Sequence, residues 1–113
     1  MIYNPNKWVI VKITSKEGKT HYRVFGSWYG GYLGSDSWRM NSGITGASRE
    51  DDVYSFYGSS GSEYRCNKNS YGTSGYSGSV LGQMTEQHKD AGITVEVMPE
   101  HTNWLTLDWG DKL

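Results

Sequence analysis

Trp8-Val9-Ile10-Val11-Lys12-Ile13-Thr14, with its continuation Thr20-His21-Tyr22-Arg23-Val24-Phe25-Gly26-Ser27-Trp28, is the stretch whose reading decides the fold. The first segment is dominated by β-branched residues, which suit a pleated, half-buried surface. By the two-residue period, Val9, Val11 and Ile13 share one face while Trp8, Ile10 and Lys12 point the other way. In the second segment Tyr22 and Val24 fall on one side and His21, Arg23 and Phe25 on the other. Between them Ser15-Lys16-Glu17-Gly18-Lys19 is a polar loop with a glycine free to take a positive φ. Two alternating segments around a short polar loop predict a β-hairpin.

Working outward, Asn4-Pro5-Asn6 is a turn-like lead-in. Past the hairpin, Tyr29-Gly30-Gly31-Tyr32 interrupts any regular ladder. Short strands are predicted at residues 37–41, 44–49, 53–57 and 62–67, separated by turns at Ser42-Gly43, Glu50-Asp51-Asp52 and Gly58-Ser59-Ser60-Gly61. In the last of these strands Tyr64 and Cys66 share a face, with Glu63 and Arg65 opposite. Residues 69–78 are so rich in Gly, Ser and Tyr that they read as a loop. A helix is predicted next, with Ser79 as N-cap and Val80, Leu81, Met84 and His88 on one stripe. Gly92 is placed as its left-handed C′ residue, and Lys89 in the last turn suits the helix dipole. Gly82 weakens this helix by up to about 1 kcal/mol relative to Ala, which suggests close packing against the sheet. Residues 93–98 and 104–109 read as two further strands, the second with Leu105, Leu107 and Trp109 on one face. The expected fold is α+β: a small antiparallel β-sheet, a meander, with one helix packed across it. The aromatic-Gly-Ser triplets at Phe25 and Tyr57 recur at no fixed period, so no repeat architecture is implied.

The totals bound the rest. With 113 residues the chain makes a single domain spanning 1–113. Its hydrophobic fraction of 35% is low, but aromatics at 14% compensate, since each buried ring removes a large area from water. Eleven basic against twelve acidic residues produce no global field for long nucleic acid or anionic lipid. No run approaches the length of a membrane span. The N-terminal MIYNPNKWVI lacks the charged and then apolar order of a signal peptide. Cys66 is the single cysteine and permits no intramolecular disulfide. A reducing cytoplasm is the expected setting.

Chemistry concentrates between Gly26 and Gly78, which hold eleven of the fifteen glycines and seven of the nine tyrosines. His21, His88, His101 and Cys66 stand at no metal-ligand spacing, and no cofactor is expected. No serine stands in a nucleophile elbow, and Cys66 reads as a core thiol, so an enzyme is not expected. Gly30 to Ser35 and Gly58 to Ser62 could each present backbone amides to an anion, although such loops more often only turn the chain. The combination says more than either loop. Trp28, Tyr29, Tyr32, Trp38, Tyr57 and Tyr64 offer flat faces on which a base could stack. Arg39 and Arg65 offer planar forks for phosphate, and Ser42, Ser59 and Ser60 can hydrogen-bond around a ring edge. These eleven residues form the expected ligand-binding set, against the plainer reading that half of the rings fill the core of a sheet poor in Leu and Ile.

Two blocks in this window resemble the signature of small proteins encoded by tailed bacteriophages. The first runs from Trp28-Tyr29-Gly30-Gly31-Tyr32-Leu33 through Asp36-Ser37-Trp38-Arg39-Met40-Asn41-Ser42-Gly43. The second is Phe56-Tyr57-Gly58-Ser59-Ser60-Gly61-Ser62-Glu63-Tyr64-Arg65-Cys66, with Tyr71-Gly72 and Val80-Leu81 beyond it. The resemblance spans residues 7–81. It implies a phage product acting in the cytoplasm of an infected bacterial host, and it transfers no catalytic residue. The expectation joining it to the residue chemistry is a non-catalytic module, oligomeric with copies of itself, that sequesters a nucleotide-type immune signal such as a cyclic dinucleotide or ADP-ribose derivative. The alternative is a protein–protein module that inhibits a host enzyme, or a minor virion component, since Tyr, Trp, Ser and Arg also make good contact surfaces. Sugar recognition is a third reading.

Overall fold

The structure, a computed structural model, describes residues 1–31 and 34–110. The hairpin is present: β2 (Lys7–Thr14) and β3 (Thr20–Trp28) pair antiparallel, from Lys7 against Ser27 to Thr14 against Thr20. A short strand β4 (Ser37–Met40) extends the sheet beyond β3, and β8 (Thr94–Val97) extends it beyond β2, in the order β4-β3-β2-β8. A second sheet holds β1 (Ile2–Tyr3), β7 (Glu63–Asn67), β6 (Val53–Gly58) and β5 (Ile44–Glu50), in that order. Its pairs are antiparallel except β1, which lies parallel to β7.

The α+β class stands, but the expected single meander is two sheets. The reason lies in the hairpin, where both alternation sets are apolar. Trp8, Ile10, Tyr22 and Val24 pack with Ile44, Phe56, Tyr64 and Cys66 of the second sheet and with Trp104. On the opposite face Val9, Val11 and Phe25 pack with Leu81 and Val95. A sheet apolar on both faces needs cover on both. The second sheet covers one, and the helix α1 (Gly75–Asp90) covers the other.

Helix α1 starts earlier than predicted. Its N-cap is Ser74, not Ser79: the Ser77 backbone N–H donates to Ser74 Oγ at 3.1 Å, and the Ser74 N–H donates to Ser77 Oγ at 2.8 Å. This is a capping box with serine where Glu or Gln is usual. Gly75 and Gly78 in the first turns mask it in the sequence. At the other end the expectation holds: Gly92 takes φ +80°, its N–H donates to Lys89 O, and the Ile93 N–H donates to His88 O at 2.8 Å. Gly82 does not serve close packing, because a Cβ there would meet nothing within 4 Å.

The predicted strand at residues 104–109 is absent. Asn103 instead organises a turn, its Oδ1 accepting from the Leu105 N–H and its carbonyl from the Leu107 N–H. Trp104 is buried, Leu107 and Trp109 pack on the same core, and Leu105 is exposed. The segment caps the open side of the inter-sheet core with rings, which needs no ladder.

Tyr64 and Tyr71 are both pushed up to about 12 by burial, from an ordinary value near 10. An acid whose folded pKa is raised favours the folded state below its unfolded pKa, and that contribution fades as pH climbs to the folded one. Urea midpoints are therefore expected to hold up to about pH 10 and to fall between about 10 and 12. Tyr64→Phe should make that fall shallower; an unchanged slope would show that neither the burial nor the sign is right.

Candidate functional site

At the seam where the ends of the two sheets meet there is a cleft of about 270 Å³. The second sheet contributes Tyr3, Tyr64 and the β6–β7 turn residues Ser60 and Ser62; the first contributes Arg23, Arg39 and the residues that follow it, Asn41 and Ser42. None of the lining side chains is acidic. The ion pairs join Arg65 to Glu63 and Lys68 to Asp52, so no carboxylate among the described residues neutralises either cleft arginine.

Each arginine is positioned without losing its charge. Arg39 lies opposite Gly26 in the β3–β4 pair, and its guanidinium sits over the Tyr3 ring at 4.7 Å from the centroid. Arg23 Nε donates to His21 Nε2 at 3.0 Å. That bond needs an unprotonated imidazole nitrogen, and burial together with the Arg23 charge holds His21 below its ordinary value. Burial also lowers the pKa of Arg23.

Asn41 is the most informative member. It continues the β3–β4 ladder after β4 ends: its backbone N–H donates to Val24 O at 3.2 Å, and the Val24 N–H donates to its Oδ1 at 2.9 Å. The second bond fixes which end of the amide is the NH2. That Nδ2 has no hydrogen-bond partner although Asn41 is only 4% exposed, and Ser62 Oγ is likewise unpartnered. Buried polar groups are nearly always satisfied, and an orphan donor calls for an explanation. Around them, Ser42 Oγ accepts from Ser59 Oγ at 2.9 Å and from the Ser60 N–H at 3.0 Å, and donates to Ser60 Oγ at 3.1 Å.

Of the expected set, Arg39, Ser42, Ser60 and Tyr64 line this cleft, with Ser59 bonded to Ser42 beside it. The rings do not converge, and the expectation of a shared stacking hollow is corrected. Trp38 stacks on Phe25 at 5.4 Å, on the helix-covered face of its sheet. Its neighbour Arg39 points to the opposite face because side chains alternate along a strand. Trp28 packs edge-on against Tyr3 at 6.3 Å and donates to Asn4 O. Tyr29 is exposed outside the cleft. Tyr57 bonds Ser48 and, with Arg65, lines a different depression that also carries Glu50, Asp51 and Glu63. Arg65 is spent on Glu63 at 2.6 Å. Tyr64 lines the cleft but is 1% exposed, so its ring face is core. Tyr32 lies outside the described residues.

Sequence reasoning missed Arg23, Asn41, Ser62 and Tyr3. Arg23 had a readable signal, a charged residue between the apolar Tyr22 and Val24 of a strand; the others acquire a role only when the two sheets meet. A larger bowl of about 520 Å³ is lined by Trp8, Tyr54, Tyr71 and Trp104 with Lys68, Glu100 and His101 at its rim. It is a weaker candidate, because Trp8, Tyr71 and Trp104 already pack ring on ring and Lys68 pairs with Asp52. Among the described residues no group of three or more His, Cys, Asp or Glu is placed to hold a metal ion, and no helix is long and apolar enough to cross a membrane. Burial pushes the Cys66 thiol up, which leaves it un-ionised and inert. No family model, no curated protein and no solved structure matches this chain.

Proposed function

We propose that this protein is a non-catalytic binding module that captures a small phosphate-bearing ligand, of nucleotide type, in the cleft between its two sheets. The observation that carries the reading is the Arg39 guanidinium, which no carboxylate among the described residues neutralises, in one cleft with the orphan amide of Asn41. Guanidinium forks and neutral donors are what a phosphate recruits. The absence of catalysis is inferred from how the polar groups are used: His21 accepts from Arg23, Ser42, Ser59 and Ser60 bond one another, and the unpartnered Ser62 Oγ bonds no base, so none of them is poised as a nucleophile beside a base. Sequestration of a nucleotide signal in an infected bacterium is the biological role that joins this chemistry to the phage-like blocks, and the source and compartment rest on that resemblance.

Thermal shift with nucleoside monophosphates, cyclic dinucleotides, ADP-ribose and inorganic phosphate tests it. At least one phosphate-bearing compound is expected to raise the melting point through linkage. A hydrogen bond to a charged group is worth about 1.5–3 kcal/mol, so Arg39→Ala should weaken the bound compound roughly 10–100-fold. Trp38→Ala, on the other face of the sheet, should leave affinity unchanged. If nothing in the panel binds while a host protein stays attached through purification, the protein-contact alternative replaces this reading.

A further inference from the structure

We infer that the chain from Met1 to Asn6 is a strap joining the two halves of the cleft, and that Tyr3 within it is the residue that positions Arg39 for the ligand. The inference rests on the binding role proposed above and adds a coupling to it: capture of the ligand and docking of the strap strengthen each other.

The two ends of this segment are tied to different sheets. At its start it belongs to the second sheet: β1 lies parallel to β7 with Tyr3 opposite Tyr64, and the Glu63 N–H donates to Met1 O at 3.0 Å. At its end it belongs to the first. The Asn6 N–H donates to Ser27 O at 2.9 Å, Asn6 Oδ1 accepts from the Tyr29 N–H at 2.9 Å, and Asn4 O accepts from Trp28 Nε1 at 3.0 Å. Between these bonds Pro5 lies against Gly26. A Cβ on Gly26 would come within 3.0 Å of Pro5 Cβ, and the φ of Gly26 is not positive, so room for Pro5 rather than backbone strain calls for glycine. Gly26 is the partner of Arg39 in the β3–β4 pair. Opposite residues of a pair point to the same face, so the strap crosses the first sheet beside Arg39 and on its side.

That placement gives Tyr3 its task. β4 is four residues long, lies at the edge of its sheet, and leaves Ser37, Trp38 and Arg39 exposed. Little in that strand fixes a long, flexible side chain. The Tyr3 ring does, with the guanidinium 4.7 Å from its centroid. The ring is itself held by Tyr64 at 4.9 Å and by Trp28 at 6.3 Å. Of the groups left for a ligand, Arg39 and Asn41 belong to the first sheet and Ser62 to the second. A ligand held from both sides therefore spans the same seam as the strap. Two bridges across one seam are linked, and the gain is reciprocal. The strap is the more loosely held of the two partners in this exchange: β1 has only two residues, with Met1 82% and Ile2 48% exposed, and such segments open locally at low cost.

Calorimetry and hydrogen exchange on the full chain, with inorganic phosphate and AMP as probes, test the coupling. Tyr3→Phe keeps the ring and is expected to bind AMP as the unaltered chain does. Tyr3→Leu is expected to bind it roughly two- to fivefold more weakly, the worth of an exposed cation–π contact. In an Arg39→Ala background Tyr3→Leu should cost nothing further, because the ring acts through that arginine. AMP should also slow exchange of the Asn6 and Glu63 amides, which tie down the two ends of the strap. An equal cost of Tyr3→Leu in both backgrounds would overturn the inference and leave the binding role standing, as would AMP binding with unchanged exchange at both amides. The ligand-free protein gives a reading independent of capture. There the Arg39 Nε–H resonance should lie upfield under the Tyr3 ring, stay in Tyr3→Phe and return to the ordinary arginine position in Tyr3→Leu; a resonance that Tyr3→Leu does not move would remove the positioning. Failure of both probes would remove the coupling, and failure of the wider nucleotide panel as well would remove the binding role.

Discussion

Replacing Trp8 with alanine is expected to lower the unfolding free energy by about 3–5 kcal/mol, the range for deleting a large buried ring. Trp8 sits on β2 with 1% of its surface exposed, yet most of its ring partners belong to other parts of the chain. Its centroid is 4.7 Å from Tyr71, 5.3 Å from Phe56, and just over 6 Å from both Tyr54 and Trp104. Its Nε1–H donates to Asn67 O at 2.7 Å. One side chain thus ties the central sheet to the second sheet, to the segment after β7 and to the C-terminal turn. Removing it leaves a cavity lined by rigid rings that collapse poorly, as well as an unpaired carbonyl at Asn67. Since small domains are stable by only about 5–15 kcal/mol, this is a large share of the whole. Urea denaturation at constant m-value would measure it. A loss below about 1 kcal/mol would mean that the two sheets are not joined through this residue.

Tyr71→Phe is expected to cost about 1–3 kcal/mol, although it removes a single oxygen. The Tyr71 hydroxyl donates to Met98 O at 2.6 Å and accepts from the Ile10 N–H at 3.3 Å. It sits where the pairing of β2 with β8 comes to an end, just past Val11 against Val97. The Met98 N–H still reaches Ile10 O at 2.9 Å, but the complementary bond is replaced by the phenol as a bridge. Ile10 is fully buried, so no water can take over when the hydroxyl is gone. Hydrogen exchange gives a reading beyond the melting point: the Ile10 amide should exchange faster in the variant, and the amides in the middle of the β2–β3 pair should not. Unchanged protection at Ile10 would remove the bridge from the account.

Strands and the helix face were legible in the sequence because they follow from local chain geometry. Alternation at Trp8 to Thr14 and at Val53 to Asn67 places side chains on two faces whatever lies beyond them, and the structure keeps those faces. Val80, Leu81 and Met84 pack as one helical stripe for the same reason. The start of α1 was not legible, because its capping box is written in serines among glycines of low helix propensity. Residues 104–109 show the limit of periodicity: their apolar positions anchor a ring cap as readily as a strand, and a single side chain, Asn103, selects the turn.

What the sequence by itself determined is the α+β class, the central hairpin with its two faces, and the aromatic and serine-rich chemistry of the middle third. Only the tertiary structure decided that there are two sheets, which rings are consumed by the core, and that Arg23, Arg39, Asn41 and Ser62 share a cleft. The physical reason is range. A side chain's face is set by its neighbours in the chain. A site is set by which distant faces meet, and that depends on burying the whole apolar surface at once.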